Sequence, residues 1–213
     1  ALDWAGDALS PDARTRARSA LLEKGLRAGE APEAQDAFSA KNNWNQVCNA
    51  SIVAAALVLA EQEPELAAGA IRRMVETLPI VLDTYGPDGV YVEGAMYWSY
   101  GTEFNVLLYD MLDTALETDF EFSEAAGFME SADFVQLLKG PTGLYYDFYD
   151  SQKESRFMGA QLWFAQKTGQ PRYALRDELL GLAEWEGSPG GHSGRLLPVE
   201  FLWYLRYEPG ASE

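Results

Sequence analysis

The sequence predicts an all-α chain of antiparallel helix hairpins, and three observations carry that expectation. Apolar residues recur at helical spacing in one segment after another. The connections between those segments are short and rich in Gly and Pro. No block alternates apolar and polar residues in the manner of a half-buried sheet. Consecutive helices with short connections pack antiparallel. A series of such hairpins, alternately more and less buried, fits an incomplete α/α toroid.

Residues 2–9 read as a short helix. Ser10-Pro11 then marks a helix start, with Ser10 at the N-cap, Pro11 where its missing N–H costs nothing, and Asp12 in the first turn. This helix is expected to reach Arg27, with Ala17, Leu21 and Leu22 on its apolar side. Gly29 and Pro32 break the pattern, and a linker is expected as far as Ala40. Residues 44–62 form the most buried helix of the reading. Val47, Ile52, Val53, Leu57, Val58 and Leu59 cover more than one face, and a helix apolar all round is an inner helix. Pro64 opens the return helix. Ala67, Ile71, Met74, Val75 and Leu78 fall in register, and Arg72, Arg73 and Glu76 are expected to face out. Pro79 should kink it. Residues 85–89, Tyr-Gly-Pro-Asp-Gly, form a turn.

A third long helix is expected over residues 103–117, with Phe104, Leu107, Leu108, Met111, Leu112 and Leu116 inward. The Tyr- and Trp-rich stretch before it, residues 88–101, reads as a loop. Residues 119–127 read as a loop or a short helical turn, and residues 129–138 as a helix ended by Gly140-Pro141. Residues 145–150, Tyr-Tyr-Asp-Phe-Tyr-Asp, read as extended and not helical, a short aromatic strand or loop. Residues 157–168 and 171–182 make a helix pair joined at Gly169. Residues 188–191 are a flexible Gly-Pro stretch, residues 197–207 a last apolar helix, and the tail after Pro209 is expected to fray.

With 213 residues the chain can build one sizeable core, and it is read as a single domain over residues 1–213. An apolar content of 47% is that of a globular chain. The longest apolar run, residues 52–60, is too short to span a bilayer. The chain opens at Ala1 without a basic leader, so any signal peptide is expected to be absent already. A single Cys excludes an internal disulfide framework and a Cys-based zinc site, and a single histidine, His192, excludes His-rich metal sites. No cofactor or metal is expected. A net charge of −17 argues against nucleic acid and against a membrane as partner. Nothing in the sequence sets the oligomeric state.

Two segments stand out chemically. The first, residues 41–49, holds Asn42, Asn43, Asn45, Gln46 and Asn49 at the mouth of the inner helix. Buried amides are costly unless they bind something or hydrogen-bond each other. The second, residues 88–101, combines Glu93 with Tyr97, Trp98 and Tyr100. Amides beside aromatic faces are what a sugar-binding cleft needs. The plainer alternative is that the amides cap and glue helices, that the aromatics are core, and that Glu93 is a helix cap. Asp147 and Asp150 are acids of a kind that binds a sugar or a metal, but two acids without neighbouring ligands are weak evidence for either.

The run Asn42-Asn43-Trp44-Asn45-Gln46-Val47-Cys48-Asn49, with Asp88-Gly89 and Glu93-Gly94-Ala95-Met96-Tyr97-Trp98-Ser99-Tyr100-Gly101, resembles the heparinase II/III-like and alginate-lyase-like polysaccharide lyases. Those enzymes join an incomplete α/α toroid to a β-sandwich. The resemblance implies that this chain is a large part of the toroid, with the β-sandwich not included. It implies β-elimination on uronate-containing glycans, an acidic polysaccharide or oligosaccharide as ligand, and a periplasmic or secreted location. It places Asn43 on the uronate carboxylate and Tyr97, or alternatively Tyr100, as acid or base. Asn42, Trp44, Asn45, Gln46, Glu93, Trp98, Tyr100 and Asp150 are then expected to line the cleft. Two positions depart from the pattern: Trp44 stands where such lyases carry His, and His192 lies far along the chain. A catalytically silent glycan-binding toroid is therefore a second reading. A glycoside hydrolase using Glu93 and Asp150 as its carboxyl pair is a third.

Overall fold

Every regular element found among the described residues is helical, so the protein is all-α. The computed structural model describes residues 2–153, 158–174 and 196–207. Helix α1 (Leu2–Ala5) runs into a 3-10 turn, Gly6–Ala8. Helix α2 (Pro11–Ala20) begins as its residues dictate, with the Ser10 hydroxyl accepting the Ala13 N–H at 3.2 Å. It continues through a π-helical turn, Leu21–Leu26, into the short α3 (Arg27–Gly29). The expected linker holds a 3-10 turn, Pro32–Ala34, and α4 (Gln35–Phe38), whose Phe38 is buried.

Helix α5 (Asn43–Leu59) is the inner helix. It packs on α6 (Pro64–Leu82), α7 (Gly94–Leu116), α4 and the π turn, with Ala50, Val53 and Ala56 fully buried. The α5–α6 pair is antiparallel: Asn45 meets Thr77 near one end, and Leu59 clusters with Ala67 near the other. Helix α7 runs parallel to α5. Asn43 meets Glu93 just ahead of α7, and Gln46 lies against Gly101 within it.

The chain then makes a 3-10 turn, Phe122–Glu124, and α8 (Ser131–Leu137), followed by α9 (Ala160–Thr168), a 3-10 turn Pro171–Tyr173, and α10 (Leu197–Arg206). Phe128 is the hub of the main core. Its ring lies 5.2 Å from Tyr85, 5.3 Å from Tyr109 and 5.5 Å from Phe164. Full burial of such a side chain stabilises the fold by about 1.5–3 kcal/mol. Asp110 ties the last two helices to α7, accepting the Trp163 indole N–H at 3.0 Å and the Trp203 indole N–H at 2.6 Å.

Several expectations are corrected. Helix α7 starts at Gly94 and not at Glu103, because the aromatic stretch is helical and packs against α5. Gly94 takes φ +81°, a conformation that favours glycine, as the chain turns into the helix. Arg73 does not face out: its guanidinium lies 4.2 Å over the Phe38 ring and pairs with Glu30 at 2.7 Å. Outside these corrections, α6 holds Pro79 within its span, on the exposed side, and continues to Leu82. Of the two forms expected for residues 145–150, strand or loop, the loop is found, with a single bridge joining Tyr145 to Lys139. The helices expected from residues 129 and 157 begin at Ser131 and Ala160. Most of the helix expected over residues 171–182, the Gly-Pro stretch at 188–191, His192 and the tail after Pro209 lie outside the described residues.

Candidate functional site

The N-termini of α5 and α7 meet at one end of the molecule. Asn42 adopts an extended backbone and its side-chain oxygen accepts the Trp44 N–H at 3.1 Å, which caps α5. Glu93, 5% exposed, immediately precedes α7 yet serves α5. Its carboxylate accepts the Asn43 backbone N–H at 2.9 Å, and the Asn43 amide nitrogen lies 3.0 and 3.2 Å from its two oxygens.

From there the polar contacts run inward. The Tyr91 hydroxyl faces two acceptors, Glu93 at 3.0 Å and the Gln46 carbonyl oxygen at 2.7 Å. The Gln46 amide donates to the Tyr85 hydroxyl at 2.7 Å, and that hydroxyl pairs with Thr102 at 2.8 Å. Gly101 permits this crossing, since a Cβ there would collide with the Gln46 side chain. Burial pushes the Tyr85 and Tyr91 hydroxyls well above the usual tyrosine range, and the nearby Glu93 charge adds to it. Both hydroxyls therefore keep their protons at neutral pH and act as hydrogen-bonding groups, not bases.

Asn45 and Asn49 face the other way. The Asn45 amide donates to the Thr77 carbonyl at 2.9 Å, and Asn49 bonds Asn45 at 2.9 Å and the Thr77 hydroxyl at 3.2 Å. These residues join α5 to α6.

Aromatic residues lie on the elements that meet at this end. Trp44 is 62% exposed beside Asn43. Tyr97 is half-buried, one turn into α7 from Glu93. The loop at residues 145–153 is fastened to the start of α7, where Ser151 accepts the Met96 N–H at 2.9 Å. Gly94 packs against Ser151 and the Phe148 carbonyl. That loop presents Tyr146 and Tyr149, 70% and 75% exposed, together with the exposed Asp147 and Asp150.

The structure thus gathers Asn42, Asn43, Gln46 and Glu93 into one end, with Trp44 adjacent and Asp150 on the loop docked there. It does not bring in Asn45, which faces α6, or Trp98, which is fully buried and stacks on Phe164 at 5.9 Å. Tyr100 packs edge-on against Phe104 at 5.5 Å. Sequence reasoning missed Tyr85, Tyr91 and Thr77 as partners of the amides, Thr102 as the partner of Tyr85, and Tyr146, Tyr149 and Ser151 on the loop. The excess of amides in α5 was the available signal, because each needs a partner once buried.

An anion placed against Asn43 must compete with Glu93 for the same amide. Among the described residues, no group of three or more His, Cys, Asp or Glu side chains gathers as a metal site, and no helix is long and apolar enough to cross a membrane. No model of a known protein family matches the chain, and no curated protein matches it.

Proposed function

We propose that this chain is the helical toroid part of a polysaccharide-lyase-like protein, and that it binds uronate-containing glycans without cleaving them on its own. The observation that carries the reading is the exposed Trp44 ring beside the buried pair formed by Asn43 and Glu93, together with the exposed rings of Tyr146 and Tyr149 on the loop that Ser151 fastens to the start of α7. Exposed aromatic faces suit the apolar faces of sugar rings. The central α5, its antiparallel partner α6, and the resemblance of the two motif segments support the toroid. The same resemblance supports a periplasmic or secreted location.

Silence follows from what β-elimination requires. The proton at C5 becomes acidic only when the neighbouring carboxylate is neutralised or hydrogen-bonded, and a positioned base must then remove it. The Asn43 amide is already held by a carboxylate, which would repel a second one. Trp44 stands where the resembling lyases use His. Each missing acid or base costs roughly 10²–10⁴-fold in rate. A glycosidase pair of Glu93 and Asp150 fits less well, since Glu93 is buried and engaged as a cap.

The purified chain should retain alginate, hyaluronan, heparan sulfate or chondroitin sulfate in affinity electrophoresis and release no unsaturated uronate by ultraviolet absorbance. Turnover that disappears in Tyr97→Phe would overturn the silent reading. Failure to retain any of these glycans would overturn the binding reading.

A further inference from the structure

Two carboxyl groups meet inside the protein at Gly159, away from the site described above. Glu103 of α7 is 2% exposed, and its Oε1 accepts the Ser99 hydroxyl at 3.0 Å and the Gly159 N–H at 3.0 Å. Glu200 lies in the first turn of α10 and is 1% exposed, and neither of its oxygens has a hydrogen-bond partner. Its side chain fills the space a Cβ on Gly159 would need, with Cδ only 3.1 Å from that position. A buried carboxylate without a partner is expensive, and taking up a proton is the direct relief.

We propose that Glu200, seated beside Glu103 and against Gly159, is a proton-operated latch for α10: protonated it lets the first turn dock, and ionised it drives that turn outward. Burial raises the Glu200 carboxyl from 4.5 to about 7. Among the described residues, few charged groups lie on the elements packed against it. Glu103 of α7 touches the same glycine from its N–H side. Gly159 offers no charge. Lys167 sits near the C-terminal end of α9, over the Trp163 ring, and Arg206 of α10 reaches Asp110 at 3.6 Å. The far end of α10 is thus anchored through Trp203, Arg206 and Asp110, while the near end packs on the core through Leu196 and Val199 and carries Glu200 against Gly159.

The direction follows from linkage. The docked helix binds the Glu200 proton more tightly than the undocked one. Docking is therefore strongest below pH 4.5, weakens as pH rises towards about 7, and levels off above it.

Hydrogen exchange of the α10 amides, corrected for intrinsic rates, tests this between pH 5 and pH 8. The opening equilibrium should rise roughly 10²-fold across that range, with Trp203 fluorescence following it. Glu200→Gln, which is neutral and nearly isosteric, should make the opening pH-independent. Asp110→Asn, which loosens the other end, should raise opening at every pH and keep the pH dependence. An unchanged pH response in Glu200→Gln, or a flat response in the unaltered protein, would overturn the proposal.

Discussion

Replacing Glu93 by Ala removes one carboxylate from three donors. The Asn43 backbone N–H and the Asn43 amide lose their acceptor outright, while Tyr91 keeps Gln46 at 2.7 Å. Each buried donor left unsatisfied costs about 1–3 kcal/mol. Asn43 is 6% exposed and Glu93 5%, so water can partly refill the gap and the lower half of that range applies. The expected loss is about 3 kcal/mol, a large share of the roughly 5–15 kcal/mol that holds a domain folded. For a chain of this size that lowers the melting temperature by roughly 6–12 °C. Glu93→Gln keeps one oxygen acceptor and should cost about half as much. Thermal unfolding followed by far-ultraviolet circular dichroism measures both. A double-mutant cycle with Asn43→Ala should show a coupling of about 1–2 kcal/mol, since the pair is in direct contact. A Glu93→Ala protein melting within 2 °C of its parent, or no coupling to Asn43, would refute the reasoning.

Gly101→Ala should lose about 1–3 kcal/mol by forcing Gln46 out of its contacts, and urea titration should show a smaller loss in a Gln46→Ala background. Asp110→Ala leaves two buried indole N–H groups without an acceptor, so near-ultraviolet dichroism should weaken and stability fall by about 2–4 kcal/mol. Trp44→Ala touches an exposed side chain and should leave stability within about 0.5 kcal/mol, while glycan retention in affinity electrophoresis drops.

What could be read in advance was whatever local chemistry decides. Ser10-Pro11 starts α2 because capping needs only neighbouring residues, and α5 is central because its apolar surface leaves it nowhere else to go. Misreadings arose where a partner lies far along the chain. Arg73 looked outward until Glu30 and Phe38 were placed beside it, some forty residues earlier in the sequence. Residues 94–101 looked like a loop because Gly and aromatics carry no helical stripe of their own; burial against α5 makes the helix. The amide cluster was legible as a demand for partners, but residue type alone did not divide it. Asn43 and Gln46 turn towards Glu93, Tyr91 and Tyr85, whereas Asn45 and Asn49 turn towards Thr77. That division depends on helical phase relative to two different neighbours.

The parallel course of α5 and α7 has an electrostatic consequence. The start of a helix behaves as roughly half a positive charge, so two starts side by side amount to about one unit. Glu93, set between them, is their internal counter-ion. An anionic ligand arriving at this end meets a field that is already balanced and gains little from long-range attraction. Under the glycan-binding proposal its affinity rests on ring-to-ring contact with Trp44, Tyr146 and Tyr149, and added salt should barely change it.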